Sequence, residues 1–77
     1  MNITLHTKSA CPNCTTAKQL LTTKGLAYTE VDLSDPQALA AFCEANPGVR
    51  QMPQITINNQ RVGGLAGLQA ALKQLGL

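Results

Sequence analysis

The stretch that decides the fold runs Ile3-Thr4-Leu5-His6-Thr7-Lys8-Ser9-Ala10-Cys11-Pro12-Asn13-Cys14. Its first part alternates as a strand does, so a strand is predicted over residues 2–7 with Ile3 and Leu5 on one face. A helix is predicted over residues 12–24, because proline suits a first helical turn and apolar side chains recur at helical spacing after it. Cys11 is therefore predicted at, or next to, a helix N-terminus.

Two thiols at this place in a helix favour redox chemistry. The unpaired backbone N–H groups of a helix N-terminus act as roughly half a positive charge, which stabilises a thiolate. Thiolate is the reactive form of cysteine. Cys14 follows about one turn after Cys11 on nearly the same helical face. The spacing predicts a disulfide between Cys11 and Cys14 that opens and closes readily.

The rest of the chain continues with short alternating elements. The pair Asn58-Asn59 tolerates positive φ and predicts a tight hairpin turn. The second helix is predicted to bury Leu39, Phe42 and Cys43, and the last helix to line one side with Leu65, Leu68, Leu72 and Leu75. The predicted elements after the first helix are a strand over 27–33, a helix that begins at 34–37 and ends at 46–48, strands over 54–57 and 60–62, and a helix over 65–75.

This order, βαβαββα, predicts an α/β fold in one domain over residues 1–77. The first two strands should be parallel through a right-handed crossover. The hairpin adds two antiparallel strands. We therefore expect a four-stranded mixed sheet with helices on both faces.

Composition restricts the class of function. A net charge of +2 is too small to indicate a nucleic-acid or membrane partner, and the two aromatic residues form no base-stacking platform. No apolar segment approaches the roughly 20 residues needed to cross a bilayer, and no signal peptide is seen. The chain has three cysteines, two of them in one short motif. This pattern fits a cytoplasmic protein with a working dithiol better than a disulfide-stapled secreted domain.

At these separations, five segments together resemble the glutaredoxins, small members of the thioredoxin fold. The segments are Leu5-His6-Thr7-Lys8, Cys11-Pro12-Asn13-Cys14, Ala17-Lys18-Gln19-Leu20-Leu21, Met52-Pro53-Gln54-Ile55-Thr56-Ile57 and Val62-Gly63-Gly64. The resemblance implies a glutathione-dependent thiol–disulfide oxidoreductase, with glutathione as co-substrate and no tightly bound cofactor. It also implies a monomer with disulfide-bearing client proteins, of which ribonucleotide reductase is the usual one for the family.

The resemblance also assigns roles to residues. Cys11 is the implied nucleophile and Cys14 the resolving thiol. Pro53 is expected to follow a cis peptide bond, to face Cys11 and to present the backbone of Met52 to an extended peptide. The implied substrate- and glutathione-binding residues are Lys8, Pro12, Asn13, Gln51, Met52, Pro53, Gly63, Gly64, Leu65 and Ala66.

Three positions depart from the family pattern. Asn13 replaces an aromatic residue, Gln51 replaces a threonine, and Leu65-Ala66-Gly67 lacks the aspartate that usually follows the glycine pair. Each lost charge-assisted contact would weaken binding by about 1.5–3 kcal/mol, so glutathione is expected to bind loosely. Arg50, next to the Met52-Pro53 turn, is a candidate for recruiting an acidic substrate or for a plain surface role.

Three alternatives remain open at this point. A glutaredoxin-like protein reduced by thioredoxin reductase is favoured slightly by the missing aspartate. An iron–sulfur cluster carrier belongs to another class, although Pro12 and the second cysteine disfavour a cluster. A zinc or adaptor module needs two more ligands, and His6 and Cys43 do not lie at ligand spacing. For these two residues we expect structural roles.

Overall fold

The computed structural model describes residues 1–49 and 51–77. Arg50, a candidate for substrate recruitment, lies outside the described residues. The elements follow the predicted βαβαββα order. They are β1 (Ile3–Thr7), α1 (Pro12–Thr23), β2 (Thr29–Asp32), α2 (Pro36–Ala45), β3 (Gln54–Ile57), β4 (Gln60–Gly63) and α3 (Leu65–Gln74).

The four strands form one mixed sheet in the order β2-β1-β3-β4. The β1–β2 pair is parallel, and the β1–β3 and β3–β4 pairs are antiparallel. This confirms the predicted crossover and hairpin. Because His6 pairs with Gln54, the end of β1 and the start of β3 meet at the same end of the sheet. The loop after β1 and the loop before β3 are thereby brought together.

The main hydrophobic core lies between the sheet and two helices, α1 and α3. Alternate residues of β1 and β3 point into it, as the period-two pattern requires. Its buried members are Ile3, Leu5, Ala17, Leu21, Ile55, Ile57, Leu68 and Leu72.

A smaller cluster lies on the opposite face of the sheet, under α2. Its buried members are Cys14, Leu33 and Met52, and Phe42 of α2 packs against them. The His6 ring stacks on Phe42 with a centroid separation of 4.6 Å, and its Nδ1 lies 3.1 Å from the carbonyl oxygen of Gln54. His6 therefore has a structural role, and helices cover both faces of the sheet, as predicted.

Some of the side chains predicted to be buried are exposed in part. Leu39, Phe42 and Cys43 are half-buried, because α2 covers the small cluster rather than the main core. Leu75 is 55% exposed, since α3 ends at Gln74 and leaves it beyond the last turn. The second strand is shorter than predicted and lies at the sheet edge, which leaves Val31 37% exposed.

Local signals at the turns and caps are largely confirmed. Asn58 and Asn59 have φ values of 52° and 67°, as expected of a tight hairpin turn. Asp35 is the N-cap of α2, and its carboxylate accepts a hydrogen bond from the Ala38 N–H at 3.2 Å. The neighbouring Ser34 bonds instead to the carboxylate of Asp32. In the described part of the chain, no helix has the length and apolar character needed to span a bilayer.

A hydrogen bond and an ion pair, both at Glu30, connect α1 with the sheet. The buried Thr7 hydroxyl donates to Glu30 Oε2 at 2.7 Å, and Lys18 Nζ lies 3.1 Å from the same oxygen. The Thr7 hydrogen bond, followed by the contact with Lys18, lowers the pKa of Glu30. Folding therefore stabilises the ionised form of the Glu30 carboxylate.

We expect Glu30→Gln to lower the free energy of unfolding at neutral pH by about 0.5 kcal/mol, the size typical of a partly exposed ion pair. Because folding lowers the pKa, the contribution is full above the unfolded value and disappears as pH falls through the folded value. Urea unfolding of the wild type and the variant, at pH 7 and at pH 2.5, measures the loss of unfolding free energy at each pH. Glu44→Gln, which alters an exposed carboxylate on α2, is the control. A loss that is as large at pH 2.5 as at pH 7 would contradict the charge-based explanation.

Candidate active site at the N-terminus of helix α1

Cys11 is the N-cap residue of α1. Its backbone is extended, with φ −119° and ψ 98°, and Pro12 opens the helix behind it. The Cys14 N–H donates to Cys11 Sγ at an N–S distance of 3.1 Å. This N–H is one of the donors that a helix leaves unpaired at its first turn. The predicted placement of Cys11 is confirmed.

The two sulfurs differ sharply in exposure. Cys11 and Cys14 are joined as a disulfide with a Cα–Cα distance of 5.2 Å. Cys14 is 2% exposed and belongs to the cluster under α2, whereas Cys11 is half-buried at the surface of that cluster. An incoming sulfur or disulfide can therefore reach Cys11 and not Cys14.

The Met52-Pro53 segment forms one wall of the site. The peptide bond between these two buried residues is cis, as expected. The carbonyl oxygen of Met52 lies 3.5 Å from Cys11 Sγ. The backbone of Met52 thus lies next to Cys11, as the resemblance implies.

An open groove of about 380 Å³ surrounds Cys11. The positive charge among its described lining residues comes from Lys8, whose side chain is exposed. The lining residues are Lys8, Ala10, Cys11, Pro12, Asn13, Gln51 and Met52. Five of the ten predicted binding residues are therefore brought together around Cys11, namely Lys8, Pro12, Asn13, Gln51 and Met52.

The predicted residues at the start of α3 adjoin the groove without lining it. Gly64 is the N-cap of α3, and no side chain among the described residues caps this helix end. A Cβ atom at Gly64 would lie 3.5 Å from the carbonyl oxygen of Pro53, which places the helix N-terminus next to the Met52-Pro53 wall. Leu65 packs in part against the main core, while Ala66 is exposed. Gly63, which precedes Gly64, has a left-handed backbone with φ +98°.

Two residues near the site were not predicted. Ala10 has a left-handed backbone, with φ +54°, directly before Cys11. Alanine carries no signal for this conformation, which favours glycine or asparagine. Gly67 lies against β4 so closely that an added Cβ would overlap the carbonyl of Val62. Within residues 1–49 and 51–77, no group of three or more His, Cys, Asp and Glu side chains is placed to hold a metal ion.

The fold and the site together define a class of protein. The disulfide joins a half-buried and a buried cysteine at a helix N-terminus, beside a cis-proline, in a thioredoxin-like fold. This is the site of a thiol–disulfide oxidoreductase. The glutaredoxin family model matches residues 3–62. The chain belongs to the glutaredoxin family.

Individual relatives agree with this assignment. The chain is 35% identical over 69 residues to glutaredoxin 3 of Escherichia coli K12, covering 90% of this chain and 83% of the relative. Among solved structures, glutaredoxin 1 of Francisella tularensis, complexed with cacodylate, has a TM-score of 0.83 at 27% identity, covering 99% of this chain and 98% of that one. A buckwheat glutaredoxin–glutathione complex shares the fold, with a TM-score of 0.76 at 22% identity, covering 96% of this chain and 69% of that one.

Proposed function

We propose that this glutaredoxin reduces protein disulfides and protein–glutathione mixed disulfides, with glutathione as its reductant. The observation that carries the proposal is the unequal exposure of the two sulfurs. Cys11 is open to a groove that contains a positive charge, and Cys14 is buried one turn behind it. This arrangement suits a nucleophile and an internal resolving thiol.

In the first step the Cys11 thiolate attacks one sulfur of the substrate disulfide. A new S–S bond forms between Cys11 and that sulfur, the substrate S–S bond breaks, and the leaving thiolate takes a proton from water. The N–H of Cys14 and the N-terminal field of α1 favour the anionic form of the Cys11 sulfur.

In the second step Cys14 loses its proton and attacks Cys11 Sγ. The mixed disulfide breaks, the substrate leaves as a second thiol, and Cys11 and Cys14 are oxidised to the disulfide seen in the structure. Two glutathione molecules then restore the dithiol and become glutathione disulfide. When the substrate is itself a glutathione mixed disulfide, a second glutathione can resolve the Cys11 adduct, so Cys14 is dispensable.

The described residues support glutathione binding at three points. Lys8 offers a positive charge to a carboxylate of glutathione. The backbone of Met52, which lies beside Cys11, would pair with an extended peptide. The uncapped N-terminus of α3, beside Pro53, would receive a second carboxylate through the N–H groups of Leu65 and Ala66. The buckwheat complex indicates that this fold accommodates glutathione.

Binding should nevertheless be loose. The first turn of α3 contains no acidic residue that could hold the amino group of glutathione. Asn13 and Gln51 are exposed polar residues on the groove and offer little apolar cover to the ligand. We therefore place most of the affinity in Lys8 and in backbone contacts.

A coupled assay with glutathione and glutathione reductase tests the proposal on a glutathionylated protein. We expect turnover by the wild-type protein, and a KM for glutathione that rises about two- to fivefold in Lys8→Met, the loss typical of an exposed charge pair. Lys24→Met, which alters an exposed lysine at the far end of α1, should leave the KM unchanged. Added salt should reduce the difference between the Lys8 variant and the wild type.

Turnover with NADPH and thioredoxin reductase, in the absence of turnover with glutathione, would contradict the proposal. The missing acidic residue at α3 is the feature that favours this second candidate function. Running both reductants with the same substrate distinguishes the two candidates in one experiment.

A further inference from the structure

Ala10 holds an unfavourable backbone conformation next to the nucleophile. Its φ of +54° lies in the left-handed region, where the Cβ of an L-residue crowds the following carbonyl group. Glycine would occupy the same conformation without this crowding. Strained residues that persist in a fold are concentrated at functional sites. This conformation limits the side chains that position 10 tolerates without strain.

Ala10 is part of the groove wall. It is exposed, and it lines the groove together with Cys11, the residue that directly follows it. The left-handed turn at Ser9-Ala10 lets both Lys8 and Cys11 line the same groove, one before the turn and one after it. A substrate that occupies this groove lies near Ala10.

We propose that Ala10 is a specificity-determining residue that keeps the groove open to protein disulfides. Among residues with a side chain, alanine leaves the most room for the residue that flanks the substrate's cysteine. A larger side chain at position 10 would still admit a small disulfide and would obstruct a protein disulfide.

The inference rests on the proposed oxidoreductase function, and its test does not depend on glutathione. Pre-reduced protein is mixed with a disulfide in a single turnover, without any other reductant. The two substrates are insulin, a protein disulfide, and bis(2-hydroxyethyl) disulfide, a small one. The quantity of interest is the ratio of the second-order rate constants for the two substrates.

The variants form a size series at one backbone conformation. Ala10→Gly and Ala10→Asn both tolerate positive φ, so their comparison isolates the side chain. We expect the insulin-to-small-disulfide ratio to fall about tenfold in Ala10→Asn, and not to fall in Ala10→Gly. Ala10→Ser should give an intermediate ratio. If Ala10→Asn does not fold, the serine variant is used for the comparison instead.

A ratio that stays within about twofold of the wild type in Ala10→Asn and Ala10→Ser would overturn the inference. A ratio that falls as far in Ala10→Gly as in Ala10→Asn would also overturn it, because removing the methyl cannot obstruct the groove. A wild-type protein that reacts with neither disulfide would instead contradict the oxidoreductase mechanism. A wild-type protein that reacts with both, but is not reduced by glutathione, would contradict the proposed reductant alone.

Discussion

Cys11→Ser is expected to abolish reduction of every disulfide substrate, whereas Cys14→Ser should keep activity towards protein–glutathione mixed disulfides. Cys11 is the sulfur at the groove, so its loss removes the nucleophile. Cys14 is 2% exposed and is the proposed resolving thiol. Its loss should block resolution by Cys14, whereas a second glutathione can still resolve the Cys11 adduct. Steady-state assays on insulin and on a glutathionylated protein measure the two activities.

Cys43→Ser is the matched control for these variants. Cys43 is a free, half-buried cysteine on α2 and takes no part in the disulfide. Its replacement should leave both activities near wild type. Activity that persists in Cys11→Ser, or that disappears completely in Cys14→Ser on glutathionylated substrate, would show that the roles of the two cysteines are assigned wrongly.

Gly67→Ala is expected to lower the free energy of unfolding by about 1–3 kcal/mol, as overpacking does in a tight interior. An added Cβ would overlap the backbone carbonyl of Val62, and a backbone group cannot rotate away as a long side chain can. The loss should exceed the roughly 1 kcal/mol that alanine gains over glycine inside a helix. In a domain of 77 residues, with a total stability of about 4–12 kcal/mol, this is a large fraction.

Urea unfolding of the wild type and the variant measures the effect. Gly64→Ala is the control, because its new Cβ would make ordinary contact with the Pro53 carbonyl, at 3.5 Å, and its φ is negative. It should lose little stability. A Gly67→Ala protein as stable as the wild type would mean that α3 does not need its close approach to β4.

The sequence predicted most of the fold, because its local signals agree with one another. Proline at the first turn of α1, the Asp35 cap of α2 and the Asn58-Asn59 turn each set a boundary without help from tertiary structure. The alternation in β1 and β3 then determined which side chains enter the main core. The predicted element order and mixed sheet are confirmed for these reasons.

The errors concern how deeply side chains are buried. An apolar helical stripe such as Leu39, Phe42 and Cys43 predicts which face of the helix turns inward. It does not predict how deeply the side chains on that face are buried. The stripe of α2 meets a small cluster and stays half-buried. Leu75 continues the apolar stripe of α3, but it lies beyond the last turn and remains exposed.

For the site, the sequence indicated the cysteine pair, the cis-proline and the lysine of the groove. It did not indicate Ala10 or Gly67. The left-handed conformation of Ala10 depends on the turn that joins β1 to α1, and the requirement for glycine at position 67 depends on the approach of α3 to β4. Both are consequences of packing between elements, which a single sequence does not reveal. The binding roles of the groove residues and of Gly63, Gly64, Leu65 and Ala66 remain predictions.

The most direct test asks which sulfur accepts a substrate. Reduced Cys14→Ser and reduced Cys11→Ser proteins are each treated with one equivalent of glutathione disulfide, and the modified peptide is identified by mass spectrometry. We predict a glutathione adduct on Cys11 in the first protein and an unmodified Cys14 in the second, because Cys14 is buried behind Cys11. Rapid formation of an adduct on Cys14, at a rate similar to that of Cys11, would contradict the proposed division between nucleophile and resolving thiol.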